Sequence, residues 1–364
     1  MLNFQTGETL YGLTSNGKYK VWTILVEDST IKIVHGYEDG VLSTFERTVS
    51  GKNIGKANET TAQQQAELEA TSRYNKQIDK GYRKSKSELE FLPVRPMLAQ
   101  SYTENQHRVK DGTIYVVQPK LNGVRCIVQR HGNKLMFTSR AGKDYTPIIG
   151  KHTELMKELL CVMKEGSIWD GEIYCHGVPL QTITSWIKKW QPNTKRLQFW
   201  VYDTISSKLQ FERLMDYVKP LEQHKFLKFI VACPIDYADN NLKIKQLQNE
   251  YIQAGYEGLM LRNYSAKYTQ GVRSYSLLKF KDFKDSEFKI VDAMPDYNGC
   301  VIWLCQHNDD TFKVVPLGSF QEKQQMWIDS AKYIGKLLTV RYSDVSKKGI
   351  PIGNPVGIAV RDYE

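Results

Sequence analysis

The run Ile114-Tyr115-Val116-Val117-Gln118-Pro119 leads into Lys120-Leu121-Asn122-Gly123-Val124-Arg125 and then Cys126-Ile127-Val128. Asn-Gly between two β-rich runs signals a hairpin, and Asn tolerates the φ > 0 conformation of its type I′ turn. Lys120 then has two readings. It is an exposed lysine beside a turn, or a nucleophile at a strand end, with Arg125 on the returning strand favouring the neutral amine and meeting phosphate. The rest of the chain favours the second, because further charged residues follow on β-runs in a particular order. Ser139-Arg140-Ala141-Gly142 comes first, then Ile168-Trp169-Asp170-Gly171-Glu172-Ile173-Tyr174, where Asp170 and Glu172 share a strand face. Gln198-Phe199-Trp200-Val201-Tyr202-Asp203 puts Trp200 and Tyr202 on one face, and Glu257-Gly258-Leu259-Met260-Leu261-Arg262 is a short strand led by a carboxylate. Leu277-Leu278-Lys279-Phe280-Lys281 aligns two lysines. Singly, these are edge lysines, core aromatics and surface ion pairs. Jointly they suit nucleotidyl transfer: a nucleophile, phosphate clamps, carboxylates for Mg²⁺ and ribose, and an aromatic face for a base.

The elements that position these residues read as an α+β multidomain chain. Residues 1–49 alternate apolar and polar residues between turn signals such as Asn16-Gly17 and Asp39-Gly40, which predicts a small antiparallel sheet. Thr60 and Thr61, each with Gln three positions on, start a helix in which Ala62, Ala66 and Ala70 recur toward Tyr74. Arg73 to Lys86 carries six basic residues against Asp79 alone and reads as a linker, a phosphate-facing arm or a solvated face. From Phe91 to about Phe283 the pattern is mixed α/β. From Asp285 onward it returns to short β-runs with one helix near Gln321 to Tyr333. The expected division is therefore a small β-rich domain (1–88), a catalytic domain of mixed antiparallel sheets and helices (89–284) and a C-terminal β-barrel (285–364).

Composition narrows the function. The 364 residues include 50 Lys+Arg against 40 Asp+Glu, a formal charge of +10 that favours a polyanionic partner. The six cysteines form no C-x-x-C pair, which excludes zinc ribbons and predicts reduced thiols. No stretch is apolar enough to span a bilayer and the start lacks a signal-peptide pattern, so the expectation is a soluble intracellular chain without a membrane partner. Gly51-Lys52-Asn53-Ile54-Gly55-Lys56 has the wrong glycine spacing for a phosphate loop, and dinucleotide, zinc-protease and serine-hydrolase motifs are missing.

The ordered set from Lys120 to Lys281 resembles the covalent nucleotidyltransferases, and within them the ATP-dependent DNA ligases. Lys120 to Arg125 is similar to the nucleotidyl-lysine motif. Ser139 to Gly142, Asp170 to Glu172, Tyr202-Asp203, Glu257 to Arg262 and Leu278 to Lys281 are similar to those that follow. Pro96-Met97-Leu98-Ala99 resembles a ligase lead-in, and Asn354 to Asp362 the final motif of a C-terminal OB-fold. The resemblance spans Phe91 to Glu364. It implies a nucleotidyltransferase (adenylation) domain that seals 3′-OH/5′-phosphate nicks in double-stranded DNA, with ATP and Mg²⁺, as a monomer. Lys120 would take AMP, Arg125 and Arg140 would hold nick phosphate and sugar, and Glu172 the ribose or metal. Glu257 would bind Mg²⁺, Lys279 and Lys281 the α-phosphate, Tyr202 the adenine, and Arg361 the pyrophosphate. Residues 1–88 lie outside this core and read as an accessory DNA-contacting module. Two positions depart from the pattern: Asn122 replaces the usual Asp, and Gln118, beside the cofactor, replaces a common Glu. An RNA ligase or mRNA-capping guanylyltransferase uses the same chemistry. A catalytically silent nucleic-acid-binding module is the alternative the departures allow, though it would not need the intact lysines and carboxylates.

Overall fold

Period-two alternation folds the start of the chain into an antiparallel meander of β1 (Thr9–Leu13), β2 (Tyr19–Glu27), β3 (Thr30–Tyr37) and β4 (Leu42–Thr48). The computed structural model describes residues 6–14, 16–86, 89, 94–346 and 348–361. Glu88, Phe91 and Asp362, on which an expected boundary, the start of the family resemblance and the acid of the final motif fall, lie outside them. Leu10, Trp22, Ile24, Ile31 and Ile33 turn to one face of the sheet and pack on Ala66, Ala70 and Tyr74 of the helix Ala62–Asp79. Thr61 and Gln64 close the capping box that starts this helix. The basic segment is not a linker. It is helical to Asp79, and Arg83 then exchanges two main-chain hydrogen bonds of 2.8 Å with Tyr11, which folds the segment back onto β1.

Ten strands follow: β5 (Leu98–Ser101), β6 (Tyr115–Lys120), β7 (Val124–His131), β8 (Lys134–Ser139), β9 (Ile168–Tyr174), β10 (Gln198–Thr204), β11 (Ile230–Ala232), β12 (Asp236–Ala238), β13 (Gly258–Asn263) and β14 (Arg273–Lys281). They form two sheets, ordered β11-β10-β9-β7-β8 and β12-β6-β13-β14-β5. The expected β6–β7 hairpin is overturned, since β6 and β7 belong to different sheets and Leu121-Asn122-Gly123 is the crossover between them. Neither Asn122 nor Gly123 has positive φ. Gly123 is required by close approach instead: a Cβ there would lie 2.6 Å from the Ile173 carbonyl oxygen and 2.7 Å from Cγ of Glu172. The true hairpin is β7–β8, which turns at Gly132-Asn133. Trp169, Phe137, Phe199 and Ile173 centre the core of this region.

The chain divides into two units, Met1–Lys279 and Phe280–Glu364, so the second begins slightly before the expected residue 285. In that unit β15 (Lys284–Pro295), β16 (Val301–His307), β17 (Asp310–Pro316), β18 (Leu337–Tyr342) and, after the short pair β19 (Asp344–Val345) and β20 (Pro351–Ile352), β21 (Val356–Arg361) are built around Trp303, Ile290, Val314 and Val340. All but the short pair close into a barrel ordered β15-β16-β17-β21-β18. Ser319 and Glu322 cap its helix, Phe320–Ile328. No helix among the described residues is long and apolar enough to cross a membrane.

Candidate active site

Lys120 ends β6 opposite Gly258 of β13. The Glu257 N–H donates to the Lys120 carbonyl at 3.0 Å, and Lys120 Nζ donates back to the Glu257 carboxylate. The lysine opens into a cleft of about 590 Å³ between the two sheets. Gln118, Arg125, Arg140, Glu172, Tyr202 and Lys279 line the same cleft, from six separate stretches of sequence. Lys281 and Arg361 belong to the second unit. Lys281 Nζ lies 5.1 Å from the Phe283 ring centre, and Arg361 Nε donates to Thr339 Oγ1 at 2.8 Å and meets Glu287 at 3.3 Å.

Strand geometry explains most of this gathering. Arg125 faces Glu172 across the β7–β9 pair. Desolvation pushes Glu172 up to about 7, although Lys120 and Arg125 pull it down and Asp170 and Glu257 add to the rise. Arg125 is tied down more firmly than the sequence suggests. Its guanidinium forks onto the fully buried Asp170 carboxylate, Nε at 2.9 Å and Nη2 at 2.5 Å. Trp200 and Tyr202 do not act as one aromatic face. The β10 register slips between Val201 and Asp203, leaving Tyr202 in the cleft while Trp200 packs edge-on against Tyr174 and Tyr256. Arg140 sits in the turn after β8, where Gly142 takes φ +89° and leaves no room for a Cβ beside the Asp79 carbonyl. That places the end of the N-terminal helix next to the Arg140 turn.

Gln118 is fully buried between a donor-only and an acceptor-only partner. Its Oε1 accepts from Arg262 Nε at 3.0 Å, and its Nε2 donates to the Tyr202 carbonyl at 3.1 Å. Arg262 also binds Asp203, which forks onto Arg213. One buried carboxylate therefore serves two buried guanidiniums. Arg262 and Met260 both line the cleft, as the strand period counted from Gly258 would have indicated. Arg273 lines it too, from a position without a local sequence signal.

Among the described residues no three or more His, Cys, Asp and Glu side chains form a metal-sized group. Glu172 and Glu257 beside Lys120 nevertheless fit Mg²⁺, a hard cation usually held by one or two carboxylates together with substrate phosphates. A cation would also favour the ionised form of Glu172.

Comparison with known proteins places the chain in a family. Residues 96–281 match the model of the ATP dependent DNA ligase domain. The DNA ligase of African swine fever virus (isolate Pig/Kenya/KEN-50/1950) is 30% identical over 90% of this chain and 83% of its own length. That of isolate Warthog/Namibia/Wart80/1980 is 29% identical over 90% of this chain and 80% of its own. A solved Lig E DNA ligase shares the fold at a TM-score of 0.58, with 19% identity over 73% of this chain and 99% of that one. With a matched domain that covers half its length and a relative 30% identical over most of both chains, the chain belongs to the ATP-dependent DNA ligases.

Proposed function

We propose that this ligase seals 3′-OH/5′-phosphate nicks in duplex DNA through Lys120. The Lys120 amine, its proton passed toward Glu257, attacks the α-phosphorus of ATP, forms the N–P bond and expels pyrophosphate. AMP then moves to the 5′-phosphate of the nick, and the 3′-OH closes the strand by displacing AMP. The observation that carries this reading is that Lys120, paired with Glu257, lines a cleft with Arg125, Arg140, Glu172, Tyr202 and Lys279. Arg125 and Arg140 hold nick phosphate and sugar, Glu172 the ribose or metal, and Tyr202 stacks on adenine beside Gln118. Lys279 and Lys281 clamp the α-phosphate, and Arg361 directs the pyrophosphate. Glu257 and Glu172 would hold Mg²⁺, which would supply charge neutralisation of the phosphates.

The barrel order corresponds to strands 1-2-3-5-4 of its own unit, which supports reading it as an OB-fold, a five-stranded Greek-key barrel suited to nucleic acid. Residues 1–88 then form an accessory DNA-contacting domain ahead of the adenylation domain (89–284) and the OB-fold (285–364), all working as a monomer. Arg73, Lys76 and Lys80 line a cleft with Trp22 on that first domain, and the end of the same helix abuts the Arg140 turn.

The test is incubation with labelled ATP, and separately with GTP and NAD. A covalent, acid-stable adduct from ATP alone, discharged by nicked duplex, is the expected result. An adduct from GTP would mark a capping enzyme, discharge only by RNA an RNA ligase, and no adduct a silent binding module.

A further inference from the structure

Tyr268 lies in the connection between β13 and β14, is nearly buried and does not line the cleft. Its hydroxyl accepts from the Met97 N–H at 2.9 Å and donates to Asp170 Oδ2 at 2.6 Å. An amide N–H can only donate, so the phenolic hydrogen is directed to the carboxylate. Burial, with Asp170 adding to the effect, pushes the phenol well above its ordinary range and keeps that hydrogen in place. The Arg213 guanidinium packs 5.5 Å from the ring centre and steadies it. Asp170 thus holds three side-chain hydrogen bonds, one from Tyr268 and two from Arg125. Because the Arg125 fork is planar, any rotation of that carboxylate carries the guanidinium with it.

We propose that Tyr268 is a positioning residue for ligation: clamped between the Met97 amide and Asp170, it fixes the carboxylate that aims Arg125 at the reacting phosphate. The proposal rests on the role given to Arg125 above. Tyr268 does not line the cleft, so in this role its effect on sealing passes through Asp170 to Arg125. A tyrosine that merely ties the Met97 segment to β9 would instead act independently of Arg125.

A double-mutant cycle distinguishes these roles. Pre-adenylated wild type, Tyr268→Phe, Arg125→Ala and the double variant are mixed with nicked duplex, and single-turnover sealing is followed at a temperature where melting curves show all four folded. Tyr268→Phe should slow sealing by about 10-fold, inside the roughly 100-fold that a 1 Å misplacement can cause. In the Arg125→Ala background it should cost less than about twofold. Equal losses in both backgrounds, normal sealing by Tyr268→Phe, or normal sealing by Arg125→Ala would each overturn the proposal. Asp170→Asn enters the same relay from its middle and should likewise be non-additive with Tyr268→Phe. Failure of the wild type to form an adduct would overturn the ligase reading itself, a result separate from any of these.

Discussion

Lys120 and Glu257 are joined twice across the β6–β13 pair, main chain to main chain at 3.0 Å and ammonium to carboxylate through their side chains. The ion pair keeps the lysine at the strand end, and in the mechanism proposed above the same carboxylate receives the proton that Nζ loses before it attacks phosphorus.

Retaining the positive charge is therefore not enough. Lys120→Arg should keep an ion pair with Glu257 and bind nicked duplex as wild type does, yet form no adduct, because a guanidinium stays protonated. Lys120→Ala should also form none. Adduct on either variant, measured by labelled-ATP transfer and gel separation, would remove Lys120 from the nucleophile's role.

Glu172 yields a pH dependence with a definite sign. Its value rises from 4.5 to about 7 on folding, so between those values the folded state binds the proton and the unfolded state does not. Stability from this group is consequently lost as pH rises through that window. The 7 − 4.5 difference corresponds to about 3 kcal/mol at pH 8. Glu172→Gln should remove that slope: its melting temperature should match wild type near pH 4.5 and exceed it at pH 8, while adenylation falls. Parallel curves for the two proteins would show that burial does not perturb this carboxyl.

Gln118 departs from the family by losing a charge, and its surroundings give that loss a purpose. A carboxylate would pair with Arg262 but set a second acceptor against the Tyr202 carbonyl, where Nε2 now donates at 3.1 Å. Gln118→Met should destabilise by about 2–3 kcal/mol, since it leaves a buried guanidinium N–H and a buried carbonyl unpaired. A fall in the urea midpoint with unchanged slope is the expected result. Wild-type stability would mean the hydrogen bonds of Gln118 with Arg262 and the Tyr202 carbonyl are not maintained in solution.

Asn122 and Gly123 show what local pattern can and cannot reveal. The β character of both flanks, the order of the charged residues and the position of Lys120 were legible, because strand propensity and residue chemistry are local. The pairing was not. Val124 to His131 bonds to β8 and β9 rather than back to β6, a choice made by the packing of distant segments. The Tyr268–Asp170 and Arg262–Gln118 contacts join residues 98 and 144 positions apart, beyond any periodicity. The corrected geometry reverses an expectation. Asn122→Val should fold and adenylate within about threefold of wild type, because no φ > 0 turn exists there to break. Gly123→Ala should damage both, since its methyl meets the Ile173 carbonyl and Glu172. Wild-type activity in Gly123→Ala would show that β9 can move away.

The basic segment separates into two sets once its partners are known. Lys84 pairs with Glu8 at 2.8 Å and Lys86 with Glu38 at 2.7 Å, so these charges fasten the segment to its own sheet. Arg73, Lys76 and Lys80 instead follow one face of the helix Ala62–Asp79 and its cap, and line a cleft with Trp22 and Ile33. If this face meets DNA, each phosphate contact contributes about 0.9 to the slope of log K against log salt. Neutralising Arg73, Lys76 and Lys80 should weaken nick binding and flatten that slope, whereas neutralising Lys84 and Lys86 should lower the melting temperature and leave the slope almost unchanged. Filter binding across a salt series, run beside melting curves, reads both effects. Equal slopes for wild type and the Arg73/Lys76/Lys80 variant would make this a solvated face and remove it from the proposed DNA contact.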